Sequence, residues 1–142
     1  MKVCTHKGLS IAVLTRNEHC PPHVHVGSAD WDARFEFSFW HNGVRLLDVM
    51  PFKNQPKVAV LEGFRQTLKI PQNLRRARMF WWQSVKSVCL VNKMWDAEMQ
   101  DVVPMNEILP NAQLIQAAFF DEKSYQTILQ LKGISSPVEI EL

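Results

Sequence analysis

The chain has 142 residues, of which 46% are apolar, with five Trp and eight Phe; that is enough to fill a single-domain core and argues against long disorder. No run is long enough to span a membrane, and residues 1–7 lack the apolar stretch of a signal peptide. The net charge of +2 hides a partition, because residues 57–93 carry eight positive and one negative charge whereas residues 94–142 carry two positive and eight negative. Such asymmetry suits a nucleic-acid or acidic-partner surface in the middle segment, or an acidic third that folds back on it through Asp96, Glu98, Asp101 and Glu107. The three cysteines, at 4, 20 and 89, are odd in number and follow no framework spacing, which fits free thiols in a cytoplasmic protein.

In chain order, Leu9 to Arg16 reads as a first strand, apolar enough to be central. The next stretch, Glu18-His19-Cys20-Pro21-Pro22-His23-Val24-His25-Val26, holds three of the five histidines. Pro21 and Pro22 fix two φ angles and remove two N–H donors, so the chain arrives stiff at His23. From there it reads as a strand, and alternation puts His23 and His25 on one face with Val24 and Val26 on the other. Two imidazoles on one face of a rigid strand can chelate a metal. His19, Glu18 or Cys20 could complete the set, and neutral imidazole, thiolate and carboxylate suit zinc or divalent iron or nickel. Because protons compete for the rings, such binding is expected to weaken at acid pH. The rival reading is a histidine-bearing surface strand whose rings bond carbonyls that the prolines leave unpaired.

The pattern E-H-x-P-P-H-x-H-V at Glu18–Val26 resembles a small bacterial family catalogued as a domain of unknown function, number 4160. The similarity runs over about the first 85 residues, with Ile11 to Leu14 before the motif and Leu46-Leu47, Val49-Met50-Pro51 and a helix toward Trp81-Trp82 after it. The resemblance implies a bacterial protein of the kind found beside toxin–antitoxin-like genes or mobile elements, and it carries no known reaction.

Residues 31–40 alternate clearly, with Trp31, Ala33, Phe35, Phe37 and Phe39 on one face and Asp32, Arg34, Glu36 and Ser38 on the other. His41-Asn42-Gly43 carries an Asn-Gly hairpin signal, and Val44 to Met50 is the return strand. Pro56 suits the first position of a helix carrying Val58, Leu61, Phe64 and Leu68, and Pro71 precedes a second helix over 72–88. Arg75, Arg76, Arg78 and Lys86, interleaved with Phe80, Trp81 and Trp82, form the candidate surface for a nucleic acid or acidic partner. The rival is an ordinary solvated face beside core tryptophans. Val88 to Val91 reads as a short strand, 96–111 as a connection, 112–120 as a strand or buried helical turn, and 122–131 as a helix capped by Asp121. Val138 to Leu142 alternates as an edge strand.

The expected architecture is one α+β domain: an N-terminal antiparallel meander against two helices (1–93), with a smaller acidic α/β appendage (94–142). With no phosphate-binding glycine loop or nucleophile elbow in sight, a non-catalytic regulatory protein with a protein partner ranks first. A metal-dependent hydrolase or nuclease at His19, His23 and His25, with Glu18 or Asp30 as base, ranks second. A nucleic-acid binder ranks third.

Overall fold

The computed structural model describes every residue except 52 and 106–109, so the acid at Glu107 lies outside the described residues. The architecture is α+β, with two helices and two five-stranded antiparallel sheets among the described residues. The chain divides into two compact units, Met1–Lys86 and Ser87–Leu142, a boundary earlier than the 93/94 division read from charge. No helix is long and apolar enough to cross a membrane.

The first unit holds β1 (Lys2–His6), β2 (Leu9–Ala12), β3 (His23–Gly27), β4 (Asp32–Glu36), β5 (Arg45–Met50), α1 (Val58–Lys69) and α2 (Pro71–Val85). Its sheet is a plain meander in the order β1-β2-β3-β4-β5, which makes the histidine strand the middle one. Strand β1 was not legible in the sequence. It is joined to β2 by a two-residue turn, Lys7-Gly8, in which both residues have positive φ (48° and 78°), the mirror-image turn that follows the twist of a hairpin. Val24, Val26, Ala33 and Phe35 are buried on one face of the sheet. Both helices pack against β1, and α1 also packs against β5.

Helix α1 buries Leu61, Phe64 and Leu68, and α2 buries Leu74, Ala77, Arg78 and Trp81, at helical spacing. Ile70, in extended conformation before Pro71, ends the first helix and starts the second. Asn73 Nδ2 donates to the Thr67 carbonyl at 2.8 Å, satisfying one of the acceptors the helix end leaves open. Leu68→Ala should cost about 2–5 kcal/mol, because a fully buried leucine leaves a cavity the helix cannot collapse. A urea titration of the full chain measures it, and a cost below 1 kcal/mol would show that the helix is loosely packed.

The Asn-Gly hairpin expected at residues 42 and 43 does not form, since neither residue has positive φ. Strand β4 ends at Glu36 and β5 begins at Arg45, so the connection is a wider loop. Phe37 and Phe39 stay fully buried beyond the strand, and the loop carbonyls are taken by a helix side chain described below.

The second unit contains β6 (Met94–Asp96), β7 (Asp101–Val103), β8 (Ala112–Asp121), β9 (Gln126–Leu131) and β10 (Val138–Glu141), in the order β10-β9-β8-β6-β7. The expected helix at 122–131 is a strand instead. Asp121 caps a turn rather than a helix, accepting from Lys123 N at 3.0 Å and from the Ser124 hydroxyl at 2.9 Å. Tyr125 takes positive φ, and Thr127, Leu129 and Leu131 then alternate into the core of this unit. Residues 88–91 form no strand, whereas β10 is an edge strand as the alternation suggested. The α/β appendage is therefore all strand among its described residues. Cys4 is a free thiol, while Cys20 and Cys89 are disulfide-bonded, so the expectation of three free thiols is corrected.

Candidate metal site at the histidine turn

The Pro-Pro turn delivers β3 to the centre of the first sheet, and the Pro22 carbonyl accepts from Phe37 N at 3.0 Å, tying the turn to the end of β4. Alternation then does what the sequence implies. Val24 and Val26 enter the core, and His23 and His25 share the opposite face with their ring centroids 4.9 Å apart. A strand next to a turn suggests exposed or partly exposed rings, and His25 is partly exposed, but His23 is not. It is 2% exposed and lies 5.3 Å from the Trp81 ring, which also meets Phe37 edge-on. Helix α2 thus backs the site with an indole.

Glu18 folds back over both imidazoles. Its Oε2 lies 2.7 Å from His23 Nε2 and its Oε1 3.0 Å from His25 Nε2, with the Glu18 side chain 7% exposed and that of His25 19%. His23 Nδ1 donates to the Pro21 carbonyl at 2.8 Å. A carbonyl can only accept, so Nδ1 carries the ring hydrogen, and in the neutral ring Nε2 is a bare lone pair. Burial pushes the His23 pKa below its ordinary value, although the Pro21 carbonyl and Glu18 pull the other way. With Nδ1 as the donor to Pro21, a neutral ring would aim the Nε2 lone pair at a carboxylate oxygen within hydrogen-bond distance. Two acceptors so placed need a cation between or beside them, either a proton or a metal ion.

His23 is held by a backbone carbonyl, and His25 Nδ1 faces Asp32 Oδ2 at 3.8 Å, beyond a hydrogen bond but close enough to orient the ring electrostatically. Ligand bonds of about 2.1 Å separate neighbouring donors on one ion by about 3.0–3.5 Å. The donor atoms of Glu18, His23 and His25 all lie within 4.8 Å of one another, so small side-chain shifts would bring them to that range.

Across the sheet, His23 stands opposite Glu36 and then Arg45, His25 opposite Arg34 and then Asp48, and Gly27 opposite Asp32. Arg34 Nε donates to Asp48 Oδ1 at 2.9 Å and Nη2 to Oδ2, and this pairing holds the Asp48 carboxyl below the usual carboxylate range. Arg45 donates to Glu36 through Nε alone, to Oε2. Glu18 and Asp32 thus face the imidazoles directly, and the Arg34–Asp48 and Arg45–Glu36 pairs follow on the neighbouring strands; with both rings neutral, these four carboxylates and two guanidiniums leave a surplus of two negative charges that one divalent cation would cancel.

Of the residues singled out in the sequence, His23 and His25 are brought together and His19 is not. His19 is exposed, with Nδ1 on the Asn17 carbonyl at 3.2 Å, and Glu18 stands in the third place. Asp30 is exposed in the β3–β4 turn. In α2, Arg75 and Lys86 are exposed, Lys86 Nζ lies 6.0 Å from the Trp82 ring, and Arg76 Nη1 donates to the Val3 carbonyl at 2.8 Å. Arg78 is 1% exposed and points inward beside Trp81. It donates from Nε to the Ser38 carbonyl and from Nη2 to the His41 carbonyl, each at 2.8 Å, and to Asn42 Oδ1 at 2.9 Å. Arg65, in α1, pairs with Glu62 of its own helix. The two residues the sequence did not flag, Arg34 and Asp48, are set by cross-strand register, which a bulge between Arg34 and Phe35 shifts.

Comparison of the chain with family models, curated proteins and solved structures finds no match.

Proposed function

We propose that the Met1–Lys86 unit is a metal-dependent hydrolase module in which Glu18, His23 and His25 hold one divalent ion, zinc or divalent iron or nickel. The observation that carries this reading is the convergence of two Nε2 atoms on one carboxylate, with the other nitrogen of His23 already committed as a donor. Three protein ligands leave coordination positions for water and substrate, the pattern of catalytic rather than structural centres. A water on such an ion ionises near neutrality, which supplies a nucleophile without a serine or cysteine. The partly exposed His25 marks the side from which solvent and substrate enter. A non-catalytic regulator of toxin–antitoxin or mobile-element type led in the sequence because no catalytic motif is visible there and the resemblance carries no known activity; the geometry of Glu18 with the two rings is why the metal reading leads here.

The test is elemental analysis of protein purified without a histidine tag, followed by zinc, iron(II), nickel and cobalt titrations and assay of each loaded form on chromogenic esters and phosphoesters. The expected result is one ion per chain and turnover that a chelator removes. Protein that carries no stoichiometric metal and does not respond to added ions would show that a proton, not a metal, bridges the cluster.

A further inference from the structure

We propose that Arg34 is the substrate-recognising group of this site and that the substrate is a phosphate monoester, its phosphoryl group held between the ion and the Arg34 guanidinium. The inference rests on the metal reading above and adds the substrate class to it. Arg34 stands directly opposite His25 across the β3–β4 ladder, on the same face of the sheet. Such neighbours have Cβ atoms about 4.5–5.5 Å apart, so a group bound to the ion and leaning toward β4 meets the guanidinium first. Asp48 uses two of the five N–H donors, from Nε and Nη2, and those two bonds fix the plane of the fork. No other bond from Arg34 is made among the described residues, and its side chain is 37% exposed. The remaining donors are therefore oriented but open. The bulge beside Arg34 re-aims side chains at this point of the ladder, as bulges next to binding sites do.

The charge balance selects the ligand. With a dication present, the four carboxylates and two guanidiniums described above sum to neutrality; of the two guanidiniums, Arg34 stands directly opposite a proposed ligand, His25, whereas Arg45 stands beyond Glu36 on β5. A tetrahedral phosphoryl group can place one oxygen on the ion and another on the guanidinium and still expose phosphorus to attack. In the reaction, water adds to phosphorus and the ester P–O bond breaks. One water proton passes to the leaving alcohol, and the other stays on inorganic phosphate.

The experiment uses the full chain loaded with cobalt(II), whose visible spectrum reports ligands entering the coordination sphere, titrated with inorganic phosphate or acetate. Phosphate should shift the spectrum saturably and bind at least tenfold tighter than acetate. Arg34→Gln should load the same amount of cobalt and bind phosphate at least tenfold more weakly. Asp48→Asn, which removes the competing negative charge while its amide oxygen can still accept from the fork, should bind phosphate several-fold more tightly. A merely structural ion pair predicts that both variants leave phosphate affinity unchanged. That result, or a wild-type spectrum that phosphate does not alter although cobalt loads, overturns the role of Arg34. Acetate binding as tightly as phosphate overturns the substrate class. Should Arg34→Gln not fold, the Asp48→Asn arm decides alone by its opposite sign. Failure of cobalt to load overturns the metal reading first, and this inference with it.

Discussion

Glu18→Gln should abolish the response of the protein to zinc while leaving the metal-free fold intact. In the wild type, zinc at a hundredfold excess over its Kd should stabilise the metal-bearing unit by at most about 2.7 kcal/mol, the value for binding to the folded state alone. For a unit of the size of Met1–Lys86 that is a rise in Tm on the order of 10–20 °C. The substitution removes one ligand and the negative charge that the ion neutralises, and affinity should fall by a hundredfold or more, beyond the effect of losing a residue that only hydrogen-bonds a ligand. The apo protein should barely notice. A glutamine amide can donate to the Nε2 of a neutral His23, taking the place of the proton that a carboxylate at 2.7 Å requires there. Its amide oxygen can accept from His25 if that ring carries its hydrogen on Nε2. The measurement is a pair of thermal melts, with and without zinc, on wild type and variant. A variant that keeps the full zinc shift would show that the ion binds elsewhere.

Arg78→Ala should be the most damaging single change in the helical layer, at about 3–5 kcal/mol. Arg78 is buried, and at least three acceptors of the loop after β4 depend on it: the Ser38 and His41 carbonyls and Asn42 Oδ1. Truncation leaves those acceptors without their donor and opens a cavity beside Trp81, where little can collapse. Since whole domains are stable by only about 5–15 kcal/mol, the variant should be near unfolding at room temperature. Arg78→Lys keeps the charge but not the fork and should recover only part of the loss. Chemical denaturation of the three proteins measures this. A cost under 1 kcal/mol for the alanine variant would mean that water replaces the guanidinium freely. The effect should reach the candidate site too, because Arg78 and Trp81 lie on the same face of α2 and Trp81 rests on His23.

Local periodicity explains what was legible. The alternation from Trp31 to Phe39 and the spacing of Leu61, Phe64 and Leu68 are short-range signals, and they gave β4 and α1 correctly. The Pro-Pro turn and the alternation after it put His23 and His25 on one face. Other features depend on partners distant in sequence. Asn42-Gly43 carries a hairpin signal, yet the local turn preference lost to a buried arginine about 36 residues away that needed the loop's oxygens. Gln126 to Leu131 fits a helix by composition, but its pairing with β8 decided the matter. Arg78 read as a surface charge because nothing local shows that three acceptors wait for it. Glu18 rather than His19 completes the cluster for a similar reason. The direction in which a loop folds back over a strand is set by the loop's tertiary path, and neighbouring residues point opposite ways.

All three proposed ligands fall between residues 18 and 25, on one loop and the strand it enters. Closing a segment that short costs little chain entropy. The denatured chain should therefore chelate as well, through a stiff proline turn that survives unfolding. Binding to both states shrinks the stabilisation that native affinity alone would give. It also gives the ion a part in the order of folding: it can gather the turn and the start of β3 before the neighbouring strands arrive. Such a low-contact-order seed in the middle strand of a five-stranded meander would leave β2 and β4 to add on either side. Refolding of the metal-loaded chain should accordingly be faster than that of the chelated one, and not only its product more stable.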